Sequence, residues 1–232
     1  NRQVSTLSGG EHQRIKLATA LGSTLVGTMY ILDEPTVGLH PRDTRKLTDI
    51  LLALKQRGNT VIVVEHEEMV MRAADQLIDI GPEAGSGGGH LVFQGDWHAL
   101  KNFKKGHTAR YLNGLDTIPI PHKRRNWHDA LIIQGAYENN LKHIDVKIPL
   151  GVLTVITGVS GSGKSTLVKD IVYSSVSKLL GIRAERVGKF DGLAGAVQIL
   201  DDVDFIDQNP IGKSSRSNPS TYLKAYDAIR HL

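Results

Sequence analysis

The sequence predicts an α/β fold with a parallel-sheet core and an antiparallel β subdomain. Two apolar runs, at 29–32 and 60–64, are separated by a long amphipathic stretch, which is the pattern of parallel strands joined by a helix. A further run at 152–157 leads into a glycine-rich turn and then a helical stretch. Apolar segments at 131–133 and 144–148 are expected to pair antiparallel. In such a fold, ligand sites are expected at the carboxyl ends of the parallel strands.

The composition is typical of a globular protein and excludes several classes. The 232 residues suffice for one large domain or two small ones, and 40% of them are apolar. No cysteine is present, which excludes disulfides and cysteine-ligated zinc within this sequence. No run reaches the ~20 apolar residues of a transmembrane helix, and the polar start predicts no signal peptide and a cytoplasmic location. The net charge of +4 permits an anionic partner without requiring nucleic acid.

Residues 158–166 match the phosphate-loop pattern G-x-x-x-x-G-K-[ST] at every specified position, between an apolar run and a helix. Glycines let backbone N–H groups surround phosphate oxygens, and the following helix directs its positive end at the same anion. We expect Lys164 to reach the outer phosphates and the Ser165 hydroxyl to bind Mg²⁺. The alternative is a glycine turn before a helix, without a ligand. The predicted nucleotide-binding residues here are Gly158, Val159, Ser160, Gly161, Ser162, Gly163, Lys164, Ser165 and Thr166.

A second candidate anion site lies near the start of the sequence. Ser8 and Glu11 have the spacing of a capping box and predict a helix that continues to about Gly22. Gly9 and Gly10 follow the cap, so the start of this helix would leave N–H groups accessible to an anion. A capped helix without a ligand explains the same residues.

The strand predicted at 29–32 is expected to be buried and parallel, and it ends in two carboxylates, Asp33 and Glu34. Asp33 is a candidate Mg²⁺ ligand through water, and Glu34 is a candidate to orient or deprotonate an attacking water. An acidic junction between strand and loop, without a catalytic role, is the alternative.

The helix predicted from Pro41 to Arg57 leads to a second buried strand at 60–64, and His66 follows that strand. A histidine just past a strand end is placed to contact a γ-phosphate, although an ordinary solvated loop histidine fits as well. The remaining elements are predicted as strands at 76–80, 90–94, 197–200 and 203–206, and as helices at 96–102, 164–179 and 219–232.

Together these motifs resemble the complete set of the ABC ATPases, and they imply a P-loop NTPase fold of the ABC ATPase type. In that resemblance, residues 7–11 are the signature motif, 33–35 the Walker B strand, His66 the switch histidine, 158–166 the Walker A loop and Gln208 the Q-loop glutamine. The resemblance implies ATP and Mg²⁺ as cofactors. It implies catalytic roles for Glu34, His66 and Gln208, and Mg²⁺ ligands at Ser165, Gln208 and Asp33.

The order of the motifs departs from that of an ordinary ABC domain, in which Walker A comes first. Here the signature, Walker B and histidine motifs precede Walker A and the glutamine. The order predicts that residues 1–103 are the C-terminal part of a first ATPase half and that residues 129–232 are the N-terminal part of a second. Residues 104–128, which include a Lys-Arg-Arg run, are expected to be a solvated linker.

Finer stretches resemble the UvrA family, the damage-recognition ATPases of bacterial nucleotide excision repair. These are residues 7–15, 33–43, 58–66, 138–142, 158–163 and 206–219, and the stretch 216–219 is the most specific to the family. The resemblance implies a homodimeric protein of an excinuclease system that binds damaged double-stranded DNA and a UvrB-like second subunit, without a membrane partner. The zinc modules of the family are expected outside this sequence, since it has no cysteine.

The resemblance also divides the residues between two nucleotides. Ser8, Gly9 and Gly10 are expected to face the ATP held by residues 158–166, with Gln208 beside Lys164. The other site is expected to contain Asp33, Glu34 and His66, so that no complete hydrolytic site lies within the chain and the chain alone is inactive. Tyr137 occupies the place of an adenine-stacking aromatic, or is an ordinary tyrosine at a strand end.

Two other functions fit the general motifs. One is the ATPase subunit of an ABC transporter with tandem halves, although the stretch 216–219 argues against it. The other is a nucleotide-binding module without turnover.

Overall fold

The computed structural model describes residue 19, residues 25–182 and residues 186–207. These residues fall into two compact units. The first contains residues 25–126 together with 155–162, and the second contains 127–154 together with 163–182 and 186–207. The helix predicted after Ser8 lies outside the described residues except for residue 19, which is helical, and the helix predicted at 219–232 lies outside them entirely.

The first unit is built around two parallel strands and a helix. Strand β1 (Met29–Asp33) pairs in parallel with β2 (Thr60–Val64), and Asp33 lies opposite Val64 in the register. Helix α1 (Pro41–Gln56) connects them. The prediction of two parallel strands joined by a helix is therefore confirmed, with the helix ending one residue earlier than predicted.

Helix α1 forms where the sequence marks its ends. Pro41 occupies the first turn, where a missing N–H costs no hydrogen bond, and Nδ1 of His40 accepts a hydrogen bond from the backbone N–H of Arg42 at 3.2 Å. Leu47, Leu51 and Leu54 are buried on one face. The apolar spacing therefore directs α1 onto one side of the two strands.

Only that side of the two strands is covered among the described residues, so the expectation of buried strands is wrong for the opposite face. Leu32, Val61 and Val63 pack under α1 and the short helix α2 (Glu68–Ala73). The alternate residues point away and are exposed, because successive side chains of a strand face opposite sides. They are Met29, Ile31, Ile62 and Val64.

Asn59 is a buried polar residue that ties these elements together. Its Oδ1 accepts a hydrogen bond from the Thr28 N–H at 3.0 Å, and its Nδ2 donates to the Leu54 carbonyl oxygen at 3.0 Å. Both ends of the amide are thus satisfied, as burial requires. The side chain holds the end of α1 against the start of β1.

A hairpin and two helices complete the first unit. Strands β3 (Leu77–Gly81) and β4 (His90–Gly95) pair antiparallel. Asp96 caps the start of helix α3 (Trp97–Asn102), since its Oδ1 accepts a hydrogen bond from the Ala99 N–H at 2.8 Å. Helix α4 (His107–Leu112) lies inside the segment predicted to be a linker. That prediction fails here because a small apolar cluster anchors the segment. The cluster consists of Phe93, Leu100 and Ala109.

The second unit contains a three-stranded antiparallel sheet whose central strand is β5 (Ala130–Ala136). Strand β5 pairs with β6 (Ile144–Pro149), which confirms the predicted antiparallel pair, and with β7 (Gly192–Gly195). Ile133 of the central strand is fully buried. The core around it contains Leu131, Ala136, Leu141, Leu167, Ile171 and Val176.

Three predicted strands are not observed. Residues 152–157 form no strand, and Leu153 and Val155 are 92% and 71% exposed. Residues 197–199 form a 3₁₀ turn, and 203–206 are irregular. Apolar and β-branched composition favours a strand only when a neighbouring strand supplies its hydrogen bonds and packing. None of these runs pairs with a strand among the described residues, whereas the glycine-rich β7 does.

The helix predicted at 164–179 is present, with an altered first half. Helical residues begin at Lys164, residues Thr166–Tyr173 are π-helical, and α5 (Ser174–Leu179) continues the element. Leu167, Ile171 and Val176 are buried in the core of the second unit. Among the helices of the described residues, none has the length and apolar character that crossing a membrane requires.

Candidate active site

The carboxyl ends of β1 and β2 lie side by side. The parallel register places Asp33 opposite Val64, and the Glu34 N–H donates to the Val64 carbonyl oxygen at 2.9 Å. The pairing thus continues one residue beyond the strand. Asp33 and Glu34 are both exposed at this edge, where the strand order predicts a ligand site.

Glu34 has an unusual backbone conformation. Its φ is 42°, in the left-handed region that residues with a Cβ rarely adopt. Such a conformation costs about 1–3 kcal/mol and often occurs where function requires a particular side-chain direction. The chain turns directly after it, since the Val37 N–H donates to the Glu34 carbonyl oxygen at 3.2 Å.

His66 lies close to Glu34. The distance from His66 Nδ1 to Glu34 Oε1 is 3.9 Å, and both side chains are more than half exposed. The structure therefore brings together two of the three predicted catalytic residues. A carboxylate and an imidazole at this separation can both contact one small ligand or water between them.

Glu65 connects the two loops that carry these side chains. Its Oε1 accepts hydrogen bonds from the Thr36 N–H at 2.9 Å and the Thr36 hydroxyl at 2.5 Å. Its Oε2 accepts from the N–H groups of His66 at 3.1 Å and Glu67 at 3.2 Å. Burial raises the pKa of Glu65, but the hydrogen bonds from Thr36, Glu67 and His66 outweigh it and leave the pKa below its ordinary value.

The candidate phosphate loop has the backbone that its glycines permit. In the first unit, Gly161 has φ 77° and the Ser162 N–H donates to the Val159 carbonyl oxygen at 3.1 Å. In the second unit, Gly163 has φ 101°, and a Cβ there would lie 2.9 Å from Leu141 Cδ2. Only glycine fits both the conformation and the space at that position.

Lys164 and Ser165 begin the helix that follows the loop. Thr166 is held by its hydroxyl, which accepts a hydrogen bond from Asn139 Nδ2 at 3.1 Å. Ser165 is exposed, and its hydroxyl is an oxygen donor of the kind Mg²⁺ prefers. The predicted roles of residues 158–166 in holding phosphates and Mg²⁺ stay predictions.

Tyr137 is 45% exposed, and its ring stacks on that of His143 with the centroids 5.7 Å apart. Nε2 of His143 lies 2.8 Å from Asp191 Oδ2. Tyr137 is thus available on the surface of the second unit, and its adenine-stacking role stays a prediction.

The signature residues Ser8, Gly9 and Gly10, and Gln208, lie outside the described residues, so their predicted roles stay predictions. Sequence reasoning missed Glu65 and Thr36 as site residues. A signal for Glu65 was present, because it is a carboxylate between a strand end and the candidate histidine.

Comparison with known proteins identifies the chain. It is 50% identical over 233 aligned residues to UvrABC system protein A of Aquifex aeolicus, and 50% identical over 233 to that of Staphylococcus aureus (strain N315), in each case across the whole chain. The chain belongs to the UvrA family. It spans about a quarter of the length of these relatives, with 25% and 24% of them covered.

The crystal structure of UvrA2 from Deinococcus radiodurans is also similar to this UvrA-family chain. The TM-score is 0.87 with 43% sequence identity, over 97% of this chain and 27% of that one. A family model described as "AAA domain, putative AbiEii toxin, Type IV TA system" matches residues 1–68. The predicted α/β fold, a P-loop NTPase of the ABC ATPase type, is confirmed.

Proposed function

We propose that this chain supplies ATP-binding and ATP-hydrolysing parts of a UvrA-type protein that recognises DNA damage in nucleotide excision repair. The observation that carries the proposal is the placement of Glu34 and His66, 3.9 Å apart at the ends of adjacent parallel strands, in a chain of the UvrA family. Damaged double-stranded DNA, a UvrB-like subunit and a second copy of the protein are its partners. The cytoplasm is its location.

The catalytic groups of the chain serve two different nucleotides. Residues 158–166 hold one ATP, with Gln208 beside it and the signature residues Ser8, Gly9 and Gly10 covering it. Glu34 and His66, with Asp33, belong to a second nucleotide site. Residues 1–103 accordingly belong to a first ATPase half and residues 129–232 to a second, and the chain alone binds ATP without turning it over.

The chemistry follows from charge and position. Lys164 and the N–H groups of the glycine loop bind the phosphate oxygens and neutralise their charge. Ser165 and Gln208 would hold Mg²⁺ at the first nucleotide, and Asp33 would hold it at the second. When bound, the metal supplies further charge neutralisation at the phosphates.

Glu34 has a different task, which is to orient water and accept its proton. The water oxygen then bonds to the γ-phosphorus while the bond from that phosphorus to the bridging oxygen of ADP breaks. His66, beside Glu34, contacts the γ-phosphate that is transferred to water.

The test uses the full-length protein and two DNA duplexes of identical sequence, one of which carries a bulky lesion. We expect ATP-dependent binding that favours the lesion-bearing duplex, and loss of that preference with Lys164→Ala. Equal binding to the two duplexes, with or without ATP, would rule out damage recognition.

A further inference from the structure

Neither Glu34 nor His66 is held in place by its own packing. Their side chains are 52% and 79% exposed, so their separation depends on the backbone of the two loops that carry them. The strand register aligns these loops only as far as the Glu34 N–H and the Val64 carbonyl oxygen. Beyond that point another interaction has to hold the loops together.

We propose that Glu65 is a positioning residue that sets the separation of Glu34 and His66 by clamping their loops to each other. The inference rests on the proposed function, since it assigns to Glu65 a part in the same ATP hydrolysis. We assign Glu65 a positioning role because its carboxylate is occupied by hydrogen bonds from Thr36, His66 and Glu67.

The two carboxylate oxygens of Glu65 have separate tasks. Among the described residues, Oε1 accepts hydrogen bonds from Thr36, two residues after Glu34, and Oε2 accepts them from the backbone N–H groups of His66 and Glu67. One rigid planar group therefore joins the loop after β1 to the loop after β2. Hydrogen bonds to an ionised acceptor are roughly twice as strong as neutral ones, so this clamp is stronger than a pair of ordinary turn contacts.

An ionised carboxylate is the only side chain of this length that suits all four donors. It has acceptors on both sides and no hydrogen to place against an N–H group. Glutamine has the same shape but accepts on one side only, and its NH₂ group would face donors on the other. Glu65→Gln therefore opens one half of the clamp while it leaves the volume of the side chain unchanged.

The experiment measures ATP turnover of the full-length protein with Glu65→Gln, Glu34→Gln and the control Glu68→Gln. Glu68→Gln is the matched control because it replaces the same carboxylate by the same amide on α2, where Glu68 is exposed and pairs with Arg72. The turnover that Glu34→Gln removes is the turnover of this site. We expect Glu65→Gln to reduce the turnover of this site to about one tenth, since small misplacements of catalytic groups are costly. The KM for ATP should stay within about twofold of the wild-type value. Glu68→Gln should retain the turnover of this site.

A second variant separates positioning from general stability. Thr36→Val removes the hydroxyl donor to Glu65 while it keeps the volume of the side chain. If Glu65 acts through Thr36, the double variant Glu65→Gln, Thr36→Val loses no more turnover than Glu65→Gln alone. A role in loop stability only would lower the melting temperature and leave turnover at low temperature at the wild-type level, which would overturn the inference.

The two proposals fail in different ways. If Glu34→Gln leaves turnover unchanged, the proposed hydrolytic role of this strand edge is wrong. If Glu34→Gln removes turnover but Glu65→Gln retains it fully, only the positioning role of Glu65 is wrong.

Discussion

The carboxylate of Glu34 lies 3.9 Å from Nδ1 of His66, although the two residues follow different strands and are separated by a helix in the sequence. The parallel register brings them together, because it places the last residue of β1 opposite Val64, two residues before His66. Ligands of open α/β sheets bind at the carboxyl ends of the strands, which is why we propose the hydrolytic groups at this edge.

The assignment of Glu34 and Lys164 to different nucleotides can be tested by combining two substitutions. Lys164→Ala and Glu34→Gln should each leave some ATP turnover in the full-length protein. The double variant should lose this remaining turnover. The reason is that each substitution disables a different site. Turnover under saturating ATP is the measurement. A double variant no slower than the slower single variant would place both residues in one site.

His66 should contribute to turnover and not to the binding of ATP. We expect His66→Ala to lower the kcat of the site that Glu34 serves by about tenfold or more, within the range typical of acid–base and positioning groups. KM for ATP should change little, because the imidazole acts on the γ-phosphate during transfer. The matched control is His90→Ala, at the start of β4. A proportional rise in KM with unchanged kcat would instead mean that His66 only binds the nucleotide.

The conformation of Gly163 predicts a large cost for a single added methyl group. Gly163→Ala combines a φ of 101° with a Cβ only 2.9 Å from Leu141 Cδ2. We expect the free energy of unfolding in urea to fall by about 2–4 kcal/mol. Gly151→Ala is the control, since its φ is 69° but a Cβ there meets no atom within 4 Å. That variant should lose only about 1–2 kcal/mol for its backbone conformation. Equal losses would show that the contact with Leu141 has no energetic effect.

Glu65 should stabilise the protein in a pH-dependent way. Its pKa in the folded protein lies below the ordinary value of 4.5, so its stabilisation is fully present above pH 4.5 and is lost as the pH falls through the folded pKa. The difference in free energy of unfolding between the wild type and Glu65→Gln should therefore be largest near neutral pH and shrink below pH 4.5. Urea unfolding at a series of pH values measures it, and using the difference cancels the titration of the other carboxylates. A difference that grows on acidification would contradict the direction of the shift.

Loss of the buried amide of Asn59 should weaken the first unit. Asn59→Ala leaves the Thr28 N–H and the Leu54 carbonyl oxygen without this partner, and we expect a loss of about 1–3 kcal/mol. Chemical denaturation is the measurement. Asn102→Ala, at an exposed position on α3, should change stability by less than about 0.5 kcal/mol.

The local motifs were readable from the residues because their chemistry is local. The glycine-rich turn before Lys164, the strand that ends in Asp33 and the start of α1 at Pro41 each depend on neighbours within a few positions. The structure has these elements where the sequence predicts them. The parallel pairing of β1 and β2 followed from the helix between them, since a parallel connection requires a crossover.

Tertiary structure alone decided which apolar runs became strands and which polar residues meet. Residues 152–157 have strand composition but pair with no strand among the described residues, whereas the small residues of β7 pair with β5. The clamp of Glu65 on Thr36 likewise joins residues 29 positions apart, through hydrogen bonds that exist only after two strands align. Sequence patterns record the chemistry of each residue and its immediate neighbours, while pairing and bridging depend on free energies shared between distant segments.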